Sequence, residues 1–218
     1  PTDDSMYETS TDETATVAID TVSGGSATEN GTQAVTITIN ENESAPTVTL
    51  AASATSIAEN AGSSITITAS LSGTTSQDVT VSLSSSSTAT EGTDYGTISD
   101  ITISSGDTTG TASFTPTDDN LYETSTDETA TVSITGVSGG SATESGSQSV
   151  TLTIEENESA PTVTLSTSAT SIDENSGSSL TLTATLSVAT TADVTVTIAT
   201  SGTATEGTDY TDGSGNID

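Results

Sequence analysis

The chain has 218 residues, of which 31 are acidic and none is Lys, Arg or His, for a formal charge of −31. Nucleic acid and anionic membrane surfaces are excluded as partners because both are recognised through Lys/Arg patches, and clustered carboxylates must be solvated, protonated or matched from outside by a metal cation or a basic partner. With Cys absent as well, disulfides and Lys-based isopeptide cross-links are ruled out, and so are the usual bases, thiol nucleophiles and Schiff-base amines of catalysis.

Apolar residues alternate with Thr and Ser, a period of two that suits half-buried strands, and no segment shows a 3.6-residue period. In chain order the alternation predicts strands around Val48 and Leu50; Ile65, Ile67 and Leu71; Val79, Val81 and Leu83; Ile101 and Ile103; Ala112 and Phe114; Val132 and Ile134; and Val150, Leu152 and Ile154. Turn signals separate them, among them Asn60-Ala61-Gly62, Ser105-Gly106-Asp107 and Gly139-Gly140. Seven short strands of this kind predict an all-β, two-sheet sandwich with a Thr/Ser outer surface. With 29% hydrophobic and 2% aromatic residues, the core is thin and the chain lies near the compositional border of disorder. A bound ion is the remaining staple.

The residues from Tyr7 to Leu50 and from Tyr122 to Leu165 agree at 36 of 44 positions. Self-similarity at a fixed period of this length marks a tandem array of domain-sized units. The string Pro-Thr-Val-Thr-Leu at Pro46 and Pro161 sets the frame: residues 1–45 are the C-terminal half of one unit, 46–160 a complete unit, and 161–218 the N-terminal half of the next. A chain that starts and stops inside repeats is expected to be a segment of a longer polypeptide. No apolar run approaches the roughly 20 residues that span a bilayer.

The complete unit carries Gly92-Thr93-Asp94-Tyr95, an Ile101/Ile103 strand, Gly106-Asp107, a Phe114 strand, Asp118-Asp119-Asn120-Leu121-Tyr122-Glu123, Asp127-Glu128-Thr129 and Ile154-Glu155-Glu156. In order and spacing it resembles a Calx-beta domain. The resemblance implies a tandem of immunoglobulin-like, seven-stranded antiparallel β-sandwiches that bind Ca2+ at one end, where loops can converge the six to eight oxygens a hard cation needs. Carried over position by position, it implies as ligands Glu59, Asp94, Asp118, Asp119, Glu123, Glu155 and Glu156; in the preceding unit Asp3, Asp4, Glu8 and Glu41; and in the following one Glu174 and Asp209. Where strong binders in the family carry consecutive aspartates, this chain has Glu155-Glu156-Asn157 and Asn40-Glu41-Asn42.

Asp107, Asp127, Glu128, Glu144 and Glu158 are read instead as solvated surface, the ordinary place for loop acids. Tyr7, Tyr95, Tyr122 and Tyr210 are read as core plugs with a hydrogen-bonded hydroxyl. A two-carboxylate glycosidase would need aromatic sugar platforms that four Tyr and one Phe do not furnish; the chain is read as a non-enzyme. The expected role is a spacer repeat in a long extracellular fibre or bacterial surface adhesin, stiffened by Ca2+, with neighbouring repeats of the same chain as its partners. The alternatives are a subunit of a polymerising filament, whose partners are identical chains, and the Ca2+-sensing role of tandem Calx-beta domains in sodium–calcium exchangers. Near-identical units joined by a short Glu-Asn-Glu-Ser-Ala-Pro junction favour the spacer, because copying adds reach and the junction is too brief for a flexible linker.

Overall fold

The computed structural model describes residues 2, 4–8, 12–123, 127–211, 213 and 216–217. All regular structure among them is β. In the unit 46–160 all seven expected strands form, at Thr47–Ala52, Ile65–Leu71, Val79–Ser87, Ile101–Ile103, Thr109–Phe114, Glu128–Ser138 and Ser149–Glu155. Thr49 and Thr66 face outward between buried neighbours, so the two-residue period becomes one wet and one dry face on these strands.

Two sheets result. One runs in the order Thr109–Phe114, Ile65–Leu71, Thr47–Ala52, Thr143–Glu144; the other runs Ser56–Ala58, Ser149–Glu155, Glu128–Ser138, Val79–Ser87, Ile101–Ile103. The chain crosses from the first sheet to the second at its start, since Val48 pairs with Leu71 whereas Ile57 pairs in parallel with Ile154. A bulge between Ile134 and Gly136 lets the long Glu128–Ser138 strand keep pairing with Val79–Ser87 beyond the point where its pairing with Ser149–Glu155 ends.

The inner faces share one core, in which Val48, Ile67, Val79, Val81, Ile101, Ile103, Phe114, Val132 and Leu152 are fully buried. Each such side chain contributes about 1.5–3 kcal/mol relative to exposure. The largest plug is Tyr95, whose ring meets Phe114 at 4.7 Å between centroids and whose hydroxyl donates to Ser85 Oγ at 2.7 Å. Tyr210 repeats that bond onto Thr200. Tyr7 and Tyr122 depart from the core-plug reading: both lie in two-residue strands that leave their own sandwich and pair with the following unit.

Residues 115 positions apart differ in burial where fewer strands pack together. Val35 and Ile37, the counterparts of Val150 and Leu152, are exposed on the two-stranded pair Glu13–Ala18 and Ala34–Ile39. Leu165 and Leu182, the counterparts of Leu50 and Ile67, are exposed on Val163–Thr167 and Leu182–Leu186. Local pairing forms in both cases, but the facing sheet is what removes these side chains from water.

Strand direction defines the two ends of the unit. Thr47, Ser72, Val79 and Thr109 lie at the end nearest the preceding unit; Glu59, Phe114, Glu128 and Glu155 lie at the other. The chain leaves for the next unit from this second end.

Candidate metal centre

The acidic residues of the unit converge at that second end because several strands begin or stop there. Glu59 follows Ser56–Ala58 and is fastened by its own N–H, which donates to the Glu155 carbonyl at 3.0 Å. Asp94 sits in the turn before the Tyr95 plug and accepts from Thr90 N–H. The 118–123 loop follows Thr109–Phe114; Glu128 opens its strand at the position paired with Ile154, and Glu156 and Glu158 continue the last strand.

Two carboxylate triads form. Oxygens of Glu59, Glu156 and Glu158 lie within 4.8 Å of one another, and so do those of Asp94, Glu123 and Glu128. Glu59 is buried and the other five are half-buried. The loop that carries Glu123 is held by carboxylates as acceptors: Asp119 N–H donates to Glu59 Oε1 at 3.3 Å, and Glu123 N–H to Glu156 Oε2 at 2.8 Å. Glu158 N–H reaches the other Glu156 oxygen at 2.8 Å.

The electrostatics are those of acids without counter-charge. Burial pushes Glu59 up to about 7, against the Asp119 N–H that favours its ionised form, and the carboxylates of Asp119, Glu123 and Glu156 add to the rise. Burial, then the charge of Asp94, pushes Glu128 up to about 7. Glu123 is raised by burial and by Asp94 and Asp119. Glu156 is penalised by burial too, yet the N–H groups of Glu123 and Glu158 hold it below the ordinary range. Glu158 is raised, first by its side-chain hydrogen bond to Glu156.

Each triad also contains one buried oxygen that accepts no hydrogen bond from a donor among the described residues, Glu158 Oε2 in the first and Glu128 Oε2 in the second. A buried acceptor left in this state is costly. An oxygen-only set of partly to fully buried carboxylates suits a hard divalent cation, which would favour their ionised forms; with no nitrogen or sulfur donor in the set, a softer metal has no advantage.

A sequence model of the Calx-beta domain matches residues 41–158 and again 156–218, most of the chain. The chain belongs to the Calx-beta domain family. Among solved structures it is similar to the apo-form Calx CBD1 domain, at 16% identity and a TM-score of 0.42, over 51% of this chain and 98% of that one. It is similar also to CBD12 from CALX1.2, at 18% identity and 0.40, over 46% of this chain and 41% of that one. A two-domain protein from Bacteroides fragilis is 9% identical with a TM-score of 0.36, over 57% of this chain and 56% of that one. No curated protein sequence matches the chain.

Of the ligands that the Calx-beta resemblance implies, Glu59, Asp94, Glu123 and Glu156 meet in the two triads. Asp119 is exposed, with its backbone bonded to Glu59 and its Oδ1 accepting from Leu121 N–H at 2.6 Å. Asp118 is exposed and acts on Glu158 through its charge. The side chain of Glu155 is exposed on the last strand and joins neither triad; its carbonyl is what holds Glu59. Glu128 and Glu158, read from sequence as solvated surface, are triad members. The signal that could have found Glu128 is its place one strand-step from Ile154 across the sheet, which sequence does not display.

The preceding half-unit repeats some of these bonds, but its acids form no further triad among the described residues. Glu8 N–H donates to Glu41 Oε2 at 2.8 Å and Met6 N–H to Asp4 Oδ1 at 2.8 Å, the counterparts of the Glu123 and Leu121 bonds. Glu41 is lowered to about 2, chiefly by the Glu8 N–H, while Glu8 is raised by Glu13. A cleft of about 520 Å³ lies among Asp4, Glu8, Glu13, Glu41 and Glu43. Asp3 lies outside the described residues. In the following half-unit Asp209 is exposed and accepts from Thr205 N–H at 2.7 Å, as Asp94 does from Thr90, and Glu174 is exposed.

This geometry orders the expected effects of substitution. Calorimetric titration of Ca2+ should show one binding step lost in Glu128→Gln and a different one lost in Glu59→Gln, because each removes the member that closes one triad. Replacing Asp118 and Asp119 together by Asn should weaken binding less than either, and Asp107→Asn, in the turn at the other end of the unit, should leave the titration unchanged. Full binding by a Glu59→Gln/Glu128→Gln protein would place the centre elsewhere.

Proposed function

We propose that this chain is a spacer segment of a long extracellular or cell-surface protein, with repeats such as 46–160 that bind Ca2+ at the end facing the next repeat and are stiffened by it. The observation that supports this most is the position of the two triads: six carboxylates with no internal cation stand where one unit hands over to the next. Glu59, Glu156 and Glu158 would hold one ion and Asp94, Glu123 and Glu128 another, with Asp118 and Asp119 close enough to add charge. The ion's part is electrostatic, tying the Glu59 segment, the 118–123 loop and the tail of the last strand to one point. The rest is done by this chain's own groups, the N–H groups of Asp119, Glu123 and Glu158 orienting the carboxylates beforehand.

The hydrogen bond from Glu123 N–H to Glu156 recurs from Glu8 N–H to Glu41, which favours copied sites over differentiated sensors. No helix among the described residues is long and apolar enough to cross a membrane. Small-angle scattering on an array of several repeats tests the reading. The maximum dimension is expected to shrink in chelator while each sandwich keeps its β-structure; an unchanged, extended envelope without Ca2+ would defeat it.

A further inference from the structure

Twice, 115 residues apart, the segment after an acidic loop leaves its own sandwich and pairs with the next one. Met6 and Tyr7 pair in parallel with Thr74 and Thr75, and Leu121 and Tyr122 with Ala189 and Thr190. The bonds correspond one to one. Ser76 N–H donates to the Tyr7 carbonyl at 2.9 Å and Thr191 N–H to that of Tyr122 at 3.1 Å. The hydroxyls of the same two residues donate to the carbonyls of Glu8, at 2.7 Å, and Glu123, at 2.6 Å. Thr74 adds a bond to the Ser5 carbonyl at 2.9 Å.

The receiving edge is built to stay in place. Ser72 accepts from Thr47 N–H at 2.9 Å, as Ser187 does from Thr162, which ties the edge to the first strand of its unit. Behind it, Gly106 N–H donates to the Thr75 carbonyl at 2.9 Å, and Ser105 Oγ to that of Ser76. The Gly139-Gly140 turn presses on the same point: a Cβ on Gly140 would stand 2.6 Å from Thr75 Oγ1, and both glycines have positive φ. Thr75 is completely buried, and Tyr7, docked on the complete unit, is 7% exposed. Tyr122, docked on the front half-unit, is half-buried.

We propose that the two-residue strand ending in Tyr7 or Tyr122 is a clasp, and that the edge at 74–76 is the site in each repeat that receives the clasp of the repeat before it. The surface is heterologous, one face of a unit meeting a different face of the next, so it can propagate along an array without closing. Backbone pairing provides the bonds, and a Ser or Thr hydroxyl at the third position of the edge reads the carbonyl beyond the tyrosine. The clasp rests on the division into units, not on bound Ca2+. Clasp and carboxylate centre stand in series: the 118–123 loop is held to the next unit by main-chain and hydroxyl bonds and to its own unit by bonds to Glu59 and Glu156. Loss of the ion therefore loosens the loop from its own sandwich and leaves it on the next.

The absence of Cys makes engineered pairs unambiguous. In the full chain, Met6→Cys with Thr74→Cys should form a disulfide under mild oxidant at least tenfold faster than Met6→Cys with Ser63→Cys, whose second site lies at the far end of the Ile65–Leu71 strand. The excess should persist in chelator, whereas the scattering envelope of the array changes, so failure of the clasp and failure of the Ca2+ reading are separable. Amide exchange on the unaltered chain provides a second readout, with Ser76 and Thr191 expected to be protected. Equal cross-linking rates for the two pairs, or exchange of both amides at the rate of open chain, would overturn the clasp.

Discussion

Removing Ca2+ is expected to lower the melting temperature of the complete unit by on the order of 10–20 °C. With extracellular-type affinities of about 10⁻⁴ to 10⁻³ M and free Ca2+ on the order of 10 mM, mass action gives roughly 1.4–2.7 kcal/mol per ion. With one ion on each triad, as proposed, the unit gains two such increments, and in a unit of this size each kcal/mol moves the midpoint by about 4 °C. The core is thin enough for that to matter, since Val, Ile and Ala fill most of it around a single Tyr–Phe contact. Melts in Ca2+ and in chelator at matched ionic strength check the prediction. Ionic strength must be matched because screening alone relieves repulsion in a chain of charge −31. Coincident curves would remove the ion as a staple.

The second large effect is a reversal of pH dependence by Ca2+. Glu59 and Glu128 titrate near 7 in the ion-free fold, against an ordinary 4.5. Between those values the folded state keeps protons that the unfolded chain has lost, so stability falls as pH rises through the interval and their contribution is complete only below 4.5. Glu156, held low by the N–H groups of Glu123 and Glu158, has the opposite sign, and its contribution is lost only as pH drops below the ordinary range. In chelator the midpoint should therefore decline from pH 5 to pH 8. Ca2+ binds the ionised carboxylates and competes with those same protons, so the gain from adding it should grow over the same interval. Replacing Glu59 and Glu128 by Gln should flatten both trends, raising stability in chelator above the parent at pH 8 and lowering it in Ca2+. A parent whose ion-free midpoint holds steady or rises between pH 5 and pH 8 would refute the argument.

How far these properties can be read without coordinates depends on the range of the interaction that sets them. The seven strands follow from alternation of Val, Ile and Leu with Thr, a signal carried by adjacent residues, and turns such as Gly139-Gly140 need φ values that glycine adopts most readily. The all-β fold and the family were legible for that reason. Anionic character was equally plain, because an absent residue type cannot be supplied by folding. Read from the sequence alone, Glu128 and Glu158 are solvated loop acids, because burial depends on what lies across the fold; Glu128 meets Asp94 where its strand is bonded to the segment leading into the Asp94 turn, Ala89 N–H donating to the Thr129 carbonyl. Glu155 went the other way: it lies next to Glu156 in sequence, but strand alternation turns its side chain outward and leaves its carbonyl to hold Glu59. Tyr7 and Tyr95 both neighbour acidic motifs, yet one plugs the core of its own unit and the other pairs with the edge of the next. Local pattern could not separate them, because the difference lies in where another unit's strand stands, and that is decided when two sandwiches dock.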